Sequence, residues 1–262
     1  GKPEDHRERV RLVREIAARH DRHIALMGDL QGPKIRIGRF EAGSVTLRPD
    51  APFTLSTRHP QNAGTDKIVG IEYPPLVKDC APGDELLLDD GRVILRVESV
   101  DENAVHTRVE VGGPLSNNKG INRRGGGISA PSLTDKDRQD IRLAAELELD
   151  YVAVSFPRAG ADIEQARQLV REAGSPAWII AKIERAEAVA DDAALDDLIR
   201  ASDGVMVARG DLGVEIGDAR LVGIQKRIIQ HARTQNKLVI TATQMMESMI
   251  TSPIPTRAEV SD

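Results

Sequence analysis

Aromatic residues are nearly missing from this chain: one Trp, two Tyr and three Phe among 262 residues. Such scarcity leaves few platforms for stacking nucleic acid bases. Charge of one sign is also missing in excess. Lys and Arg total 36, Asp and Glu 41, and they are interspersed to a net charge of -5, so no basic stripe points to a nucleic acid partner. The single cysteine, Cys80, excludes an internal disulfide and a multi-cysteine metal knuckle, which suits a reducing compartment. No apolar run approaches the roughly 18 residues of a membrane span, and the opening "GKPEDHRERV" carries no signal-peptide core. A cytoplasmic location without membrane attachment is therefore expected. The six histidines are scattered and form no ligand pair. What is present is ample apolar content, 40% of residues, enough for one large domain or two ordinary ones.

Periodicity divides the chain into three zones, 1–32, 33–131 and 132–262. Residues 4–20 place Val10, Val13, Ile16 and Ala17 on one face, predicting an amphipathic helix that feeds a buried strand in "IALMGDL" (24–30). The middle zone reads as all-β: "FTLSTR", "ELLLDDGRVILRVESV" with an Asp90-Gly91 hairpin signal, and "AVHTRVEVGG". Past Thr134 a helix opens on the capping pattern "TDKD", after which strands and helices alternate. The later strands are "YVAVSF" (151–156), "IIAKIE" (179–184), "GVMVAR" (204–209) and "LVITATQ" (238–244).

Repeated βα units imply a parallel sheet, either open and doubly wound or closed as a barrel. Polar residues tilt the choice. Asp29, Lys182, Glu184, Asp211 and Thr243 fall at the C-terminal ends of four strands, where a (β/α)8 barrel gathers its catalytic groups. Only five such strands are countable, so the expected fold is a partial TIM barrel, domain A, interrupted by an all-β inserted domain B. The ends fit a fragment: a helix start without a strand before it, and "SPIPTRAEVSD" as a new helix cut short.

Glu184 and Asp211 offer hard oxygen ligands of the kind that hold Mg²⁺ or Mn²⁺. Without His or Cys they argue against zinc. Lys182 shares a strand face with Glu184, and an ammonium beside a metal neutralises a phosphoryl group or an enolate. A helical turn after "ARGD" would point the N–H groups of Gly210 and Asp211 at a substrate carboxylate, with the Thr243 hydroxyl at the next strand end. Singly, each signal has a plainer reading. Lys-x-Glu is often a solvated edge pair, "RGDLG" an ordinary turn, "TQMMESM" helix packing, and "GGG" at 125–127 a flexible connector as readily as a phosphate cradle. Coincidence at consecutive strand tips favours a site. Two competing readings are a Mg²⁺-dependent barrel lyase or aldolase that stabilises an enolate, and a non-catalytic binding module.

"GDLQGPKIR" (28–36), "LLLDDGRV" (86–93), "NNKGIN" (117–122), "AKIERAEAV" (181–189), "VMVARGDLGVEI" (205–216) and "ITATQMMESMI" with "PTRAE" (240–259) together resemble pyruvate kinase in order and spacing. The resemblance covers the whole chain and is greatest to bacterial forms. It implies phosphoryl transfer from phosphoenolpyruvate to ADP, giving pyruvate and ATP, with domain B closing as a lid. It further implies that Glu184 and Asp211 hold Mg²⁺ or Mn²⁺, and that Lys182 stabilises the phosphoryl in flight and the enolate. Gly210, Asp211 and Thr243 would contact phosphoenolpyruvate; Arg36 and Lys119 would contact nucleotide.

Two departures stand out. Many relatives bind potassium at the third strand tip through an Asp-Thr pair and carry "GPE" after it. Here Asp29 is followed by Leu30, and Lys34 follows Gly32-Pro33, so the Lys34 ammonium is expected to replace K⁺. The second departure is truncation. The family's "NFSH" segment would lie before Gly1, and the eighth strand and C-terminal domain, with effector and tetramer contacts, after Asp262. The expected parent enzyme is a homotetramer, and the chain alone is expected to be incomplete as a catalyst and prone to associate through open strand edges.

Overall fold

The computed structural model describes residues 2–243 and 245–261. Five parallel strands, Met27–Asp29, Tyr151–Val154, Trp178–Ile183, Gly204–Ala208 and Leu238–Ala242, lie side by side in that order. An open doubly wound sheet reverses strand order at a switch point. This sheet never reverses: each strand joins the edge left by its predecessor, the progression of a curling barrel wall. The ambiguity of the strand pattern is thus resolved toward a partial barrel.

The pleat explains how the wall is filled. In the strand Trp178–Ile183, Ile179, Ala181 and Ile183 join the large apolar core with Val152, Val154, Val205 and Val207. That core is completed by Ile163, Ala166 and Val170 of helix Gly160–Glu172, and by Leu195, Leu198 and Ile199 of helix Asp192–Ala201. The alternate residue Ile180 turns to the opposite face with Ala153 and Met206. Lys182 shares its parity, which puts its ammonium on the concave face at the C-terminal mouth.

Between the first and second wall strands lies a β-rich insertion. A six-stranded sheet orders Ile68–Gly70, Pro52–Ser56, Ala104–Val111, Val93–Val100, Glu85–Leu88 and Ile121–Arg123, and a two-stranded ribbon pairs Ser44–Leu47 with Gly113–Ser116. This part has its own core, including Phe53, Leu55, Leu86, Leu88, Leu95 and Val105. The Asp90-Gly91 hairpin forms as expected between Leu88 and Val93, with Asp89, Asp90 and Gly91 all at positive φ. A single-turn helix, Leu76–Asp79, interrupts the expected all-β run. The chain's entry and exit are zipped together: Ile37 N–H donates to the Lys119 carbonyl, Ile121 N–H to the Ile35 carbonyl, and Arg36 bridges Gly120.

The expected first helix is present, whereas the bounds expected for the first and last wall strands need correction. The first helix forms over Pro3–Arg19, yet none of its residues is buried, and Ile16 is half exposed. The strand expected over 24–30 is only Met27–Asp29 and is an outer strand of the sheet with Ile24 and Met27 exposed, because nothing described covers that edge. The strand expected over 238–244 ends at Ala242, and Gln244 lies outside the described residues.

Candidate functional site

Lys182 sits near the end of its strand, and Glu184 falls one residue beyond it, past Ile183. The two still meet, Nζ to Oε1 at 2.9 Å. The same Nζ donates to Ser155 Oγ at 2.9 Å and lies 3.2 Å from Asp29 Oδ1, so one ammonium collects the tips of three adjacent strands. The second Glu184 oxygen accepts the Phe156 N–H at 2.8 Å. Phe156 is held at a φ of +56°, an uncommon state for a bulky residue, and that turn aims its N–H into the mouth. Glu184 is 1% exposed, and burial pushes its carboxyl up to about 7 although Lys182 opposes the shift; nearby Asp211 adds to it. For Lys182, burial works against the ammonium, but Glu184 and Asp29 outweigh it and its pKa lies above the ordinary lysine value.

Asp211 and Gly210 lie in the first turn of helix Arg209–Ile216, which follows directly on the strand Gly204–Ala208. First-turn N–H groups have no intrahelical acceptor, and above the Gly210 Cα there is open space. Burial raises the Asp211 pKa; Lys182 and Lys34 resist, Asp90 and Asp29 add to it. Thr243 follows the last strand at a φ of +62°, exposed, with its carbonyl accepting a bond from Arg209, which also donates to the Ala242 carbonyl at 3.1 Å.

The β-rich part supplies the facing wall. A cavity of about 230 Å³ is bordered by Lys34, Arg36, Asp89, Lys119, Asp211 and Glu215, among others. Arg36 donates to the Asn118 carbonyl at 2.9 Å, and Lys119 reaches Asp89 at 2.7 Å, so both expected nucleotide contacts share one rim. A second, wider cleft of about 940 Å³ runs past Gly210, Asp211, Thr243 and the hairpin tip at Asp90. Asp211 borders both. Lys182 and Glu184 border neither; their charged groups are engaged with each other, with Ser155 Oγ and with the N–H of Phe156, which does line the first cavity.

The donor set fits a hard divalent cation. Desolvation raises the proton affinity of both carboxylates and Asp211 adds to the rise at Glu184, which marks a local deficit of positive charge that Lys182 alone does not fill. Among the described residues no group of three or more His, Cys, Asp or Glu is arranged to hold a metal. Glu184 and Asp211 could thus supply two ligands, leaving the remaining positions to water and substrate, as Mg²⁺ prefers.

Sequence reasoning passed over several residues placed here. Ser155 carries the Lys182 bond. Arg185, buried, donates to the Ile128 carbonyl at 2.8 Å. Glu215, buried with its carboxyl pushed up to about 7 by desolvation, accepts the Ala186 N–H at 2.7 Å. Only Glu215 had a local signal, its spacing of four from Asp211 on a helix. The triple glycine at 125–127 is neither a loose connector nor an evident cradle. All three residues have positive φ, and a Cβ on Gly126 would fall 2.3 Å from a Glu187 oxygen.

A curling parallel wall with a lysine–carboxylate cluster at its C-terminal mouth, roofed by a β-rich insertion, defines a barrel-type enzyme domain. The family model for the pyruvate kinase barrel domain matches residues 1–262. Pyruvate kinase II of Salmonella typhimurium is 60% identical over 262 residues, covering 100% of this chain and 55% of that protein. The pyruvate kinase of Haemophilus influenzae is 56% identical over 262 residues with the same coverage, and that of Corynebacterium efficiens 45% over 258 residues, 98% of this chain and 53% of its own length. The chain belongs to the pyruvate kinase family. It spans about half the length of these curated relatives.

Proposed function

We propose that this chain provides the catalytic mouth of a pyruvate kinase, transferring phosphoryl from phosphoenolpyruvate to ADP to give pyruvate and ATP. The observation that carries the reading is the meeting of Lys182, Glu184 and Asp29 from separate strands beside the Asp211 helix, under a wall bearing Lys34, Arg36 and Lys119. In the reaction the P–O bond of phosphoenolpyruvate breaks, a new bond forms to the terminal oxygen of ADP, and the enolate left behind takes a proton at carbon. Lys182 neutralises the phosphoryl in flight and the enolate oxygen, a role that suits an ammonium 14% exposed and fixed by three partners. The N–H groups of Gly210 and Asp211 orient the substrate carboxylate, and the Thr243 hydroxyl stands at the same mouth. Arg36 and Lys119 bind the nucleotide phosphates, and closure of the β-rich part excludes water that would hydrolyse the group. Mg²⁺ or Mn²⁺ held by Glu184 and Asp211 supplies charge neutralisation at the transferred group.

Lys34 replaces the monovalent cation. Its charge acts on Asp211, and Leu30, where an oxygen ligand would be needed, packs into the apolar core. No described helix is long and apolar enough to cross a membrane; the reading carries a cytoplasmic location and a homotetrameric parent. Among the described residues neither outer strand of the five has a further partner, so the 262-residue chain by itself is read as deficient in turnover.

Binding separates this reading from others. Calorimetric titration of phosphoenolpyruvate into the chain should give heat only with Mg²⁺ present, and Glu184→Ala should abolish it. Metal-independent binding, or binding that survives Glu184→Ala, would refute the assignment.

A further inference from the structure

We propose that Glu215 is a positioning residue that holds the Glu184 and Asp211 carboxylates in fixed relation and ties the β-rich part to both. The proposal rests on the reading of those two carboxylates as metal ligands. Glu184 and Asp211 lie on different elements, a strand exit and a helix first turn, so their spacing is not set by either element alone. Metal affinity demands that such groups be held within tenths of an ångström by their supporting contacts.

Glu215 makes that link. It lies one turn beyond Asp211 on the same helix, and its Oε2 accepts the N–H of Ala186, two residues beyond Glu184, at 2.7 Å. Twenty-nine residues of chain separate the partners of this bond. Arg185, from the same strand exit, balances its charge. The Glu215 backbone carbonyl accepts the Gly125 N–H at 3.0 Å, and the Asn122 amide bonds the Glu215 side chain from the return strand of the insertion. Neighbouring contacts extend the link: Gly127 N–H donates to Glu187 Oε1 at 2.6 Å, and Arg185 to the Ile128 carbonyl. One buried side chain thus joins the Glu184 exit, the Asp211 helix and the return connection. It is not a third ligand, since among the described residues no three such side chains gather for an ion. A buried carboxylate costs free energy, and its directed bond to Ala186 is what it returns here.

The test is Mn²⁺ titration of the 262-residue chain, read from the free-ion signal in electron paramagnetic resonance, with urea unfolding of every variant. Glu215→Gln keeps an acceptor for Ala186 and should bind Mn²⁺ within about 3-fold of the unaltered chain, whereas Glu215→Ala should weaken binding roughly 10-fold or more. Ala186→Pro removes the donor from the opposite side at a residue whose φ of -60° suits proline. It should reproduce that loss, and it decides the matter if Glu215→Ala does not fold. Mn²⁺ binding that is lost in Glu184→Gln but unchanged in Glu215→Ala and Ala186→Pro would overturn the role of Glu215 alone. Binding unaffected by Glu184→Gln would overturn the metal site and this role with it.

Discussion

Replacing Glu184 by Gln tests the site through stability, before any substrate is added. Burial lifts this carboxyl from 4.5 to about 7 even with Lys182 beside it. The folded chain therefore holds the proton more tightly than the unfolded chain. The stability that follows is present in full below the unfolded value and is lost as pH rises through about 7. A pKa rise of that size corresponds to roughly 3 kcal/mol. Glu215 is raised in the same direction for the same reason, so the metal-free chain should lose stability twice over between pH 5 and 8.5. In Glu184→Gln one of those losses disappears. The difference in unfolding free energy between the two pH values should shrink by roughly 2–3 kcal/mol, because the Lys182 ion pair exists only where the carboxyl is ionised and is already contained in that shift. The assay is urea unfolding at pH 5, 7 and 8.5 with chelator present. Adding Mg²⁺ at pH 8.5 should then restore stability to the unaltered chain, by about 2.7 kcal/mol at a hundred times its dissociation constant, and do little for the variant. Parallel pH curves for the two proteins, or equal stabilisation by Mg²⁺, would show the reasoning wrong.

Other consequences are smaller in scope. Placed within a full-length pyruvate kinase, this chain should support activity that does not need potassium, and Lys34→Glu should lower it unless potassium is supplied; strong activation of the unaltered protein by potassium over sodium would contradict this. Asp137→Ala should cost roughly 2–4 kcal/mol in a urea titration, because the fully buried Asp137 accepts the N–H of Gly32 at 3.1 Å as well as capping its own helix at Thr134. A loss below about 1 kcal/mol would mean that water satisfies Gly32 instead.

How much of this was legible depended on whether the signal was local. The wall strands announce themselves as apolar runs, and the Thr134 cap by its spacing to Asp137, because each is specified within a few residues. The face shared by Lys182 and Glu184 was inferred from strand alternation; Glu184 actually lies past the strand end, where the Phe156 N–H fixes it instead. Arg185 was illegible, since its partner, the carbonyl of Ile128, is 57 residues distant and a backbone acceptor leaves no trace in side-chain identity. The triple glycine was ambiguous for a related reason. Its need for glycine arises from the positive φ that all three residues adopt, a backbone path set by the folded connection. The apolar face of the first helix was read correctly as a pattern, but a pattern does not name what covers it.

The zipped entry and exit of the insertion have a consequence for the order in which the chain folds. The strands at Met27–Asp29 and Tyr151–Val154 must find each other across more than a hundred intervening residues. Once residues 35–37 have met 119–121, the insertion behaves as a side branch. The remaining closure is then about a third as long, which lowers its entropic cost by roughly 1 kcal/mol. With an apolar core of its own, the insertion can close independently of the wall and so bring the first wall strand toward the second. What roofs the mouth in the native protein would thus be the template that lets the wall begin.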